Sequence, residues 1–315
     1  MKKIVLVILA IILTGCANSN TVDIDNLRIV VPSGAPSLAF YSEIENKNFS
    51  TADASSIIPE LKGENGSDII VIDTVSGIKA LNAGANYKMA ATITFGNFYI
   101  AATGNDENKT LDNEDYIVLF SQGATPDLIF HYVYGNDYDS NIHYVNAVSD
   151  ASACLIKGIN ISDDERSADE QPYVDYVMIA EPALTAAMLK NDKAYVYANV
   201  QDDYSKKTDH NLVQASLFVS NKLSKQQIEA FIAKLENNIN GLISDPTVFA
   251  TAVEGLADEE IKEIFGVANA NIVKKVLSEN SIGLGFKLAF DNKENIDNYI
   301  SLFNMENTSE EIYFK

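Results

Sequence analysis

Short apolar runs of strand length alternate along this chain with segments of helical periodicity, and that alternation limits the fold more than any other feature of the sequence. Residues 27–31 read as a strand, 37–46 as a helix, 68–72 as a strand and 74–82 as a helix. Strands linked by helices pair in parallel and are covered on their faces, so the pattern predicts an α/β fold with a mainly parallel sheet. The stretch 87–103 is β-prone and broken at Phe95-Gly96-Asn97, as a hairpin or a strand leaving one unit for another would be. A second series follows, with strands at 116–120, 142–145, 174–179 and 194–200 and helices at 125–134, 150–157 and 182–190. After β structure at 212–219 the remainder reads as entirely helical. Ile228, Phe231, Ile232, Leu235, Ile239, Leu242 and Ile243 recur at helical spacing and mark one buried face. Further helices are expected at 246–254, 258–265, 272–277 and 296–303. No tandem repeat is visible, which argues against a solenoid. On this pattern alone, a single large α/β domain with a helical tail stays open beside a two-lobed arrangement.

The start of the chain has a different character. Lys2 and Lys3 precede an apolar run over 4–13, and small residues lead to a cysteine in Leu13-Thr14-Gly15-Cys16. These are the parts of a secretory signal, and the run is about half of the roughly 20 residues that cross a bilayer. Leu-Thr-Gly-Cys resembles the lipobox of bacterial lipoproteins. The resemblance implies that residues 1–15 are removed and that Cys16 is acylated, anchoring the chain by lipid to the bacterial cell membrane, outside the cytoplasm. An Asn-, Ser- and Thr-rich stretch follows, so 16–23 reads as a lipidated flexible tether.

Removal of the signal leaves 300 of 315 residues, with 21 basic against 44 acidic side chains and a formal charge of −23. So acidic a chain is unsuited to nucleic acid or to extended contact with anionic lipid, both of which need basic patches. A small anion is still possible, because backbone N–H groups at helix N-termini hold anions without side-chain charge. With Cys16 lipidated, no intrachain disulfide is available, and Cys154 in the apolar run 151–156 reads as a buried structural thiol. The acidic runs 105–115 and 163–170 lack the ligand pattern of a calcium loop and read as solvated loops.

Catalytic constellations are scarce. His131, His143 and His210 share no metal-ligand spacing, so no metal site is expected. There is no Gly-x-Ser-x-Gly, Walker lysine or Gly-x-Gly-x-x-Gly after the first strand, and no cofactor is implied. Binding chemistry is better represented. Ligands of open parallel sheets sit at the carboxyl ends of strands, and three such ends carry small or polar residues. One holds Ser33, Gly34, Ala35 and Ser37, the next Asp73, Thr74 and Ser76, and the third Gln122, Gly123, Ala124 and Thr125. Glu181 ends the apolar strand 174–180. It could accept a hydrogen bond from a ligand or from the opposite lobe, or cap the helix that begins at Pro182.

At these residues the chain resembles solute-binding proteins of ABC importers, in the nitrate, sulfonate and thiamine-precursor group of type II periplasmic-binding proteins. The matching pieces occur in order: Val31-Pro32-Ser33-Gly34-Ala35-Pro36, residues 68–84, Phe95-Gly96-Asn97, Gly123-Ala124-Thr125-Pro126-Asp127, residues 174–182 and residues 215–223. The resemblance implies an α/β, two-lobed periplasmic-binding-protein-like type II fold with an interlobe ligand cleft and C-terminal helices. Lobe 1 would comprise 24–98 and 217–315, and lobe 2 would comprise 99–216, with Asn97 and Glu181 near the crevice. Solute would be passed to an ABC permease and its ATPase, with no enzymatic activity. Neither Arg28 nor Arg166 falls in a matched turn, so a bidentate arginine clamp on an anion is not expected. Helix N–H groups, hydroxyls, amides and aromatics such as Phe40, Tyr41, Phe95, Phe98 and Tyr99 would suit a small planar organic solute, a pyrimidine-like vitamin precursor ahead of a sulfonate. A sensory or adhesion lipoprotein, or an enzyme on the same fold, are the alternatives.

Overall fold

The computed structural model describes residues 22–103, 110–157, 174–279 and 281–315. Cys16, the signal, most of the tether, Arg166 and the acidic run 163–170 lie outside the described residues, as does the first part of 105–115.

The first half of the fold runs β1 (Ile29–Val31), α1 (Ala35–Leu38), β2 (Phe49–Thr51), α2 (Ala54–Lys62), β3 (Ile69–Asp73), α3 (Thr74–Asn82) and β4 (Tyr87–Thr94). The chain then crosses to β5 (Phe98–Thr103), β6 (Ile117–Phe120), α4 (Thr125–Tyr134), β7 (Ile142–Val145), α5 (Val148–Lys157), β8 (Tyr176–Ala180), α6 (Ala183–Met188), β9 (Ala194–Asn199) and α7 (Val200–Thr208). It returns through β10 (Ala215–Ser220), α8 (Lys225–Ser244), α9 (Thr247–Ala252), α10 (Asp258–Phe265), α11 (Ala270–Ser278), β11 (Leu284–Leu288) and α12 (Lys293–Ser301).

Two sheets result. One has the order β11-β4-β10-β3-β1-β2 and the other β7-β6-β8-β5-β9. Pairing is parallel among β1, β2 and β3 and among β6, β7 and β8, while β10, β11 and β5 run antiparallel to their neighbours. The antiparallel strands are those that carry the chain between sheets or close an edge. The stretch 87–103 is therefore no hairpin: β4 and β5 belong to different sheets, and Phe95-Gly96-Asn97 is the crossing point.

Apolar runs without alternation are explained by burial on both faces. Ile29, Val31, Ile69 and Val71 face the core under α8–α11, while Val30, Ile70 and Ile72 face the opposite core, shared with α2, α3 and the second sheet. Successive strand side chains point to opposite faces, so both cores draw on one run. Helix α8 buries Ile228, Phe231, Ile232, Leu235, Ile239 and Leu242, each contributing about 1.5–3 kcal/mol when fully buried. Its start is fixed by a capping box between Ser224 and Gln227.

Several elements depart from the sequence reading. The expected helix over 37–46 breaks after Leu38 into a separate 3₁₀ turn at Tyr41–Glu43, and Phe40 turns into the core beside Phe49 and Phe231. The sequence pattern does not mark helix α7, whose nine residues are mostly polar and bury only Val200 and Tyr204. Strand β11 interrupts the helical tail as a short edge strand against β4. Gly285 and two exposed residues weaken its sequence signal. Among the described residues no helix is long and apolar enough to cross a membrane.

Candidate functional site

The two sheets present the carboxyl ends of β1, β3, β6 and β8 to a shared crevice, a cavity of about 480 Å³. From the first sheet come Ser33, Gly34, Ala35 and Asp73. Gly34 holds φ at +106°, which L side chains rarely adopt, and the turn it permits lays the backbone along the wall. From the second come Ala124, Thr125 and Glu181, and Asn97 sits at the crossing point. The remaining residues predicted from sequence lie outside the lining. Ser37 is buried with its hydroxyl on the Gly34 carbonyl at 2.8 Å. Thr74 is buried and shares a 2.6 Å hydrogen bond with Ser216. Ser76 gives its backbone N–H to Asp73. Gln122 and Gly123 point to solvent at the rim.

Glu181 combines two of the roles its sequence position allowed. Its carboxylate accepts the Thr185 N–H at 3.1 Å and the Thr185 hydroxyl at 2.8 Å, which caps α6. It also accepts the Ser281 hydroxyl at 3.2 Å, from the segment that leads to β11. Burial pushes the carboxyl above its usual range, partly countered by those donors. The Glu181 main chain is pinned to the crossing point: its N–H donates to the Asn97 carbonyl, and the Asn97 amide donates to its carbonyl at 2.6 Å.

Other lining residues were not singled out from sequence. Thr94 ends β4 and Gln214 precedes β10, and the Gln214 N–H donates to the Thr94 carbonyl at 3.0 Å. Thr94 Oγ1, Asn97 Oδ1 and Gln214 Oε1 are buried and have no hydrogen-bond partner among the described residues. Buried polar atoms without partners are uncommon and costly, and all three belong to residues of this one cavity. Nothing local in the sequence marks Thr94 or Gln214, because their juxtaposition depends on β4 and β10 being neighbours. Of the aromatics considered, Phe98 lines the cavity with Phe120, their ring centres 6.2 Å apart, and Phe40 is core. Among the described residues no three His, Cys, Asp or Glu side chains cluster as metal ligands.

No protein-family profile and no curated protein matches the chain. Solved structures do. An ABC transporter protein from Parabacteroides distasonis superposes with a TM-score of 0.67 at 17% identity, covering 92% of this chain and 99% of that one. The periplasmic aliphatic sulphonate binding protein SsuA of Escherichia coli gives 0.59 at 13% identity, over 91% of this chain and 90% of its own. A Candida albicans protein with the generic periplasmic binding protein fold gives 0.53 at 12% identity, over 91% and 92%. Two α/β units joined at Asn97, with a cavity between their strand ends, give this chain the periplasmic binding protein fold.

Proposed function

We propose that the chain is an extracytoplasmic solute receptor, the binding component of an ABC importer, anchored by lipid at Cys16 and lacking catalytic activity. In this reading the lobes comprise 24–98 with 217–315 and 99–216, and a small organic solute held between them is handed to a membrane permease and its ATPase. The observation that carries the reading is the cavity of about 480 Å³, lined from both sheets, whose lining residues include three buried polar atoms without partners among the described residues. That size suits a small molecule, and the flanking rings of Phe98 and Phe120 suit a planar one. A solute touching both lobes favours the closed arrangement by its differential affinity for that arrangement. The fold shared with importer proteins supports the role, and the Lys2 to Cys16 segment supports export and anchoring.

The test is a thermal-shift screen of the purified chain against amines, amidines, pyrimidines, carboxylates, sulfonates and nitrate. A ligand specific for the native state adds about 2.7 kcal/mol at a hundredfold excess over Kd, a readily visible shift. Absence of any shift from all classes, in protein shown by mass spectrometry to be free of small molecules, refutes the reading. Anchoring is tested separately: Cys16→Ser should move the chain from the membrane fraction to the soluble one.

A further inference from the structure

The cavity is built to accept hydrogen bonds. Helix N-termini facing a cleft normally offer N–H groups to an anion, and the resemblance to importer proteins suggested that use here. At three of these starts an acidic side chain is already in place, while the start of α1 at Gly34 carries none. At α3, Asp73 Oδ1 accepts the Ser76 N–H at 2.8 Å, and the Thr74 N–H goes to the Gln214 carbonyl. At α4, the buried Asp127 carboxylate accepts the Gly123 N–H at 2.7 Å and the Tyr144 hydroxyl at 2.9 Å, and Pro126 has no N–H to give. At α6, Glu181 holds the Thr185 N–H. Asp73 and Glu181 each hold an N–H of the helix that follows, where an incoming anion would sit, and Asp127 holds the N–H just before α4, so the three starts disfavour an anion.

The lining points the same way. Among the described residues it contains no lysine, arginine or histidine, and its only ionisable residues there are Asp73 and Glu181. Asp73 is half-buried and has no cationic partner among the described ion pairs. An independent observation concerns the atoms without partners. Asn97 Oδ1 is an acceptor only, Thr94 Oγ1 accepts as well as donates, and the Gln214 amide can turn its acceptor to a guest. The Asn97 assignment is fixed by its Nδ2, which donates to the Glu181 carbonyl. Thr94 and Asn97 are more than nine-tenths buried, so solvent does not satisfy them from outside the cavity. Acceptors without protein donors, in a cleft whose ionisable groups are acidic, favour a guest that brings N–H donors and a positive charge.

We propose that the solute is a compact organic cation, an amidinium, guanidinium or protonated amine on an apolar frame. Its N–H groups satisfy Thr94, Asn97 and Gln214, and its charge faces Asp73. The inference rests on the solute-receptor reading and specifies its ligand.

The test uses four ligands of one frame with different charge: benzamidinium, benzamide, benzoate and benzenesulfonate, titrated calorimetrically into the purified full-length chain. Benzamidinium should bind at least tenfold more tightly than benzamide, and the two anions should bind more weakly still. Asp73→Asn keeps an acceptor for the Ser76 N–H, since Asn caps helices as well as Asp does. It should cut benzamidinium affinity about tenfold and change benzamide affinity less than threefold, and a thermal melt confirms that the variant folds. Thr94→Val should weaken both donor ligands. Tighter binding of benzamide or of either anion, or equal loss of both donor ligands in Asp73→Asn, overturns the inference. If the broad screen finds an anion or neutral solute while benzamidinium does not bind, the inference falls and the receptor reading stands. If neither experiment finds a ligand, both fall.

Discussion

Gly283 should be the least replaceable glycine of the fold, and the reason joins the fold to the site. Its φ is +64°, and a Cβ built there would lie 1.8 Å from the Gly96 carbonyl oxygen and 2.7 Å from its carbon. Both contacts are backbone, so no side chain can swing aside. The Gly283 carbonyl in turn accepts the Phe95 N–H at 2.8 Å, so the two strands of chain are already tied. In Gly283→Ala the left-handed conformation costs about 1–2 kcal/mol, and forcing a methyl group into packed surroundings adds about 1–3 kcal/mol. The expected loss is therefore roughly 2–5 kcal/mol, a large part of the 5–15 kcal/mol typical of a folded chain. Gly241 supplies the control. It lies in α8 with nothing within 4 Å of a Cβ, so Gly241→Ala should stabilise by about 0.5–1 kcal/mol. Urea unfolding of both variants at constant slope measures the two signs. Because Gly96 precedes Asn97, a displaced crossing point should also lower solute affinity in Gly283→Ala and leave it unchanged in Gly241→Ala. A Gly283→Ala midpoint within about 0.5 kcal/mol of the parent would refute the steric reasoning.

Two further outcomes follow from buried carboxylates. The raised pKa of Glu181 means the folded chain holds that proton more tightly than the unfolded chain. The stability it contributes is complete below its ordinary value of 4.5 and is lost as pH rises through the folded value. Glu181→Gln should therefore flatten the stability profile above pH 4.5, and urea midpoints across pH 4–8 that keep the parental slope would remove Glu181 as its source. Glu43, buried in the 3₁₀ turn after α1, meets Lys234 of α8 at 2.6 Å. Lys234→Met should cost about 1–2 kcal/mol, less than breaking a fully buried pair because Lys234 is a third exposed. The double variant with Glu43→Gln should regain part of that loss, and a full double-mutant cycle showing no coupling would assign the pair no role.

The elements that sequence located best are those with local signals. Helices over 74–82, 125–134 and 258–265 were expected with the bounds observed for α3, α4 and α10. Two of them follow polar or small turn residues and all carry apolar positions at helical spacing. Helices α2 and α7 and strands β2 and β11 are absent from the sequence expectation, and the polar α7 and the short strands depend on what they pack against. Helix α7 is held by its ends, with Asn199 accepting the Gln201 and Asp202 N–H groups and Asp209 adopting the left-handed conformation. Propensity summed over nine polar residues cannot reveal it.

The same division runs through the site. Ser33, Gly34, Ala124 and Thr125 could be read as wall because a strand-to-helix turn has a recognisable composition wherever it occurs. Thr74 and Ser76 belong to an equally recognisable turn, yet Thr74 is consumed by Ser216 of β10 and the Ser76 N–H by Asp73. Turn chemistry identifies which residues stand at a strand end, but not which of their polar groups are already paired. Pairing depends on the return of the chain through β10, more than 100 residues downstream. That return also places Gln214 beside Thr94. The shape of the cleft is thus encoded locally, while its hydrogen-bonding preference combines local caps at Asp73 and Glu181 with long-range pairings through β10. An expectation of N–H groups ready for an anion was reasonable from the turns alone, whereas at α3 and α6 the chain spends such a donor on its own carboxylate.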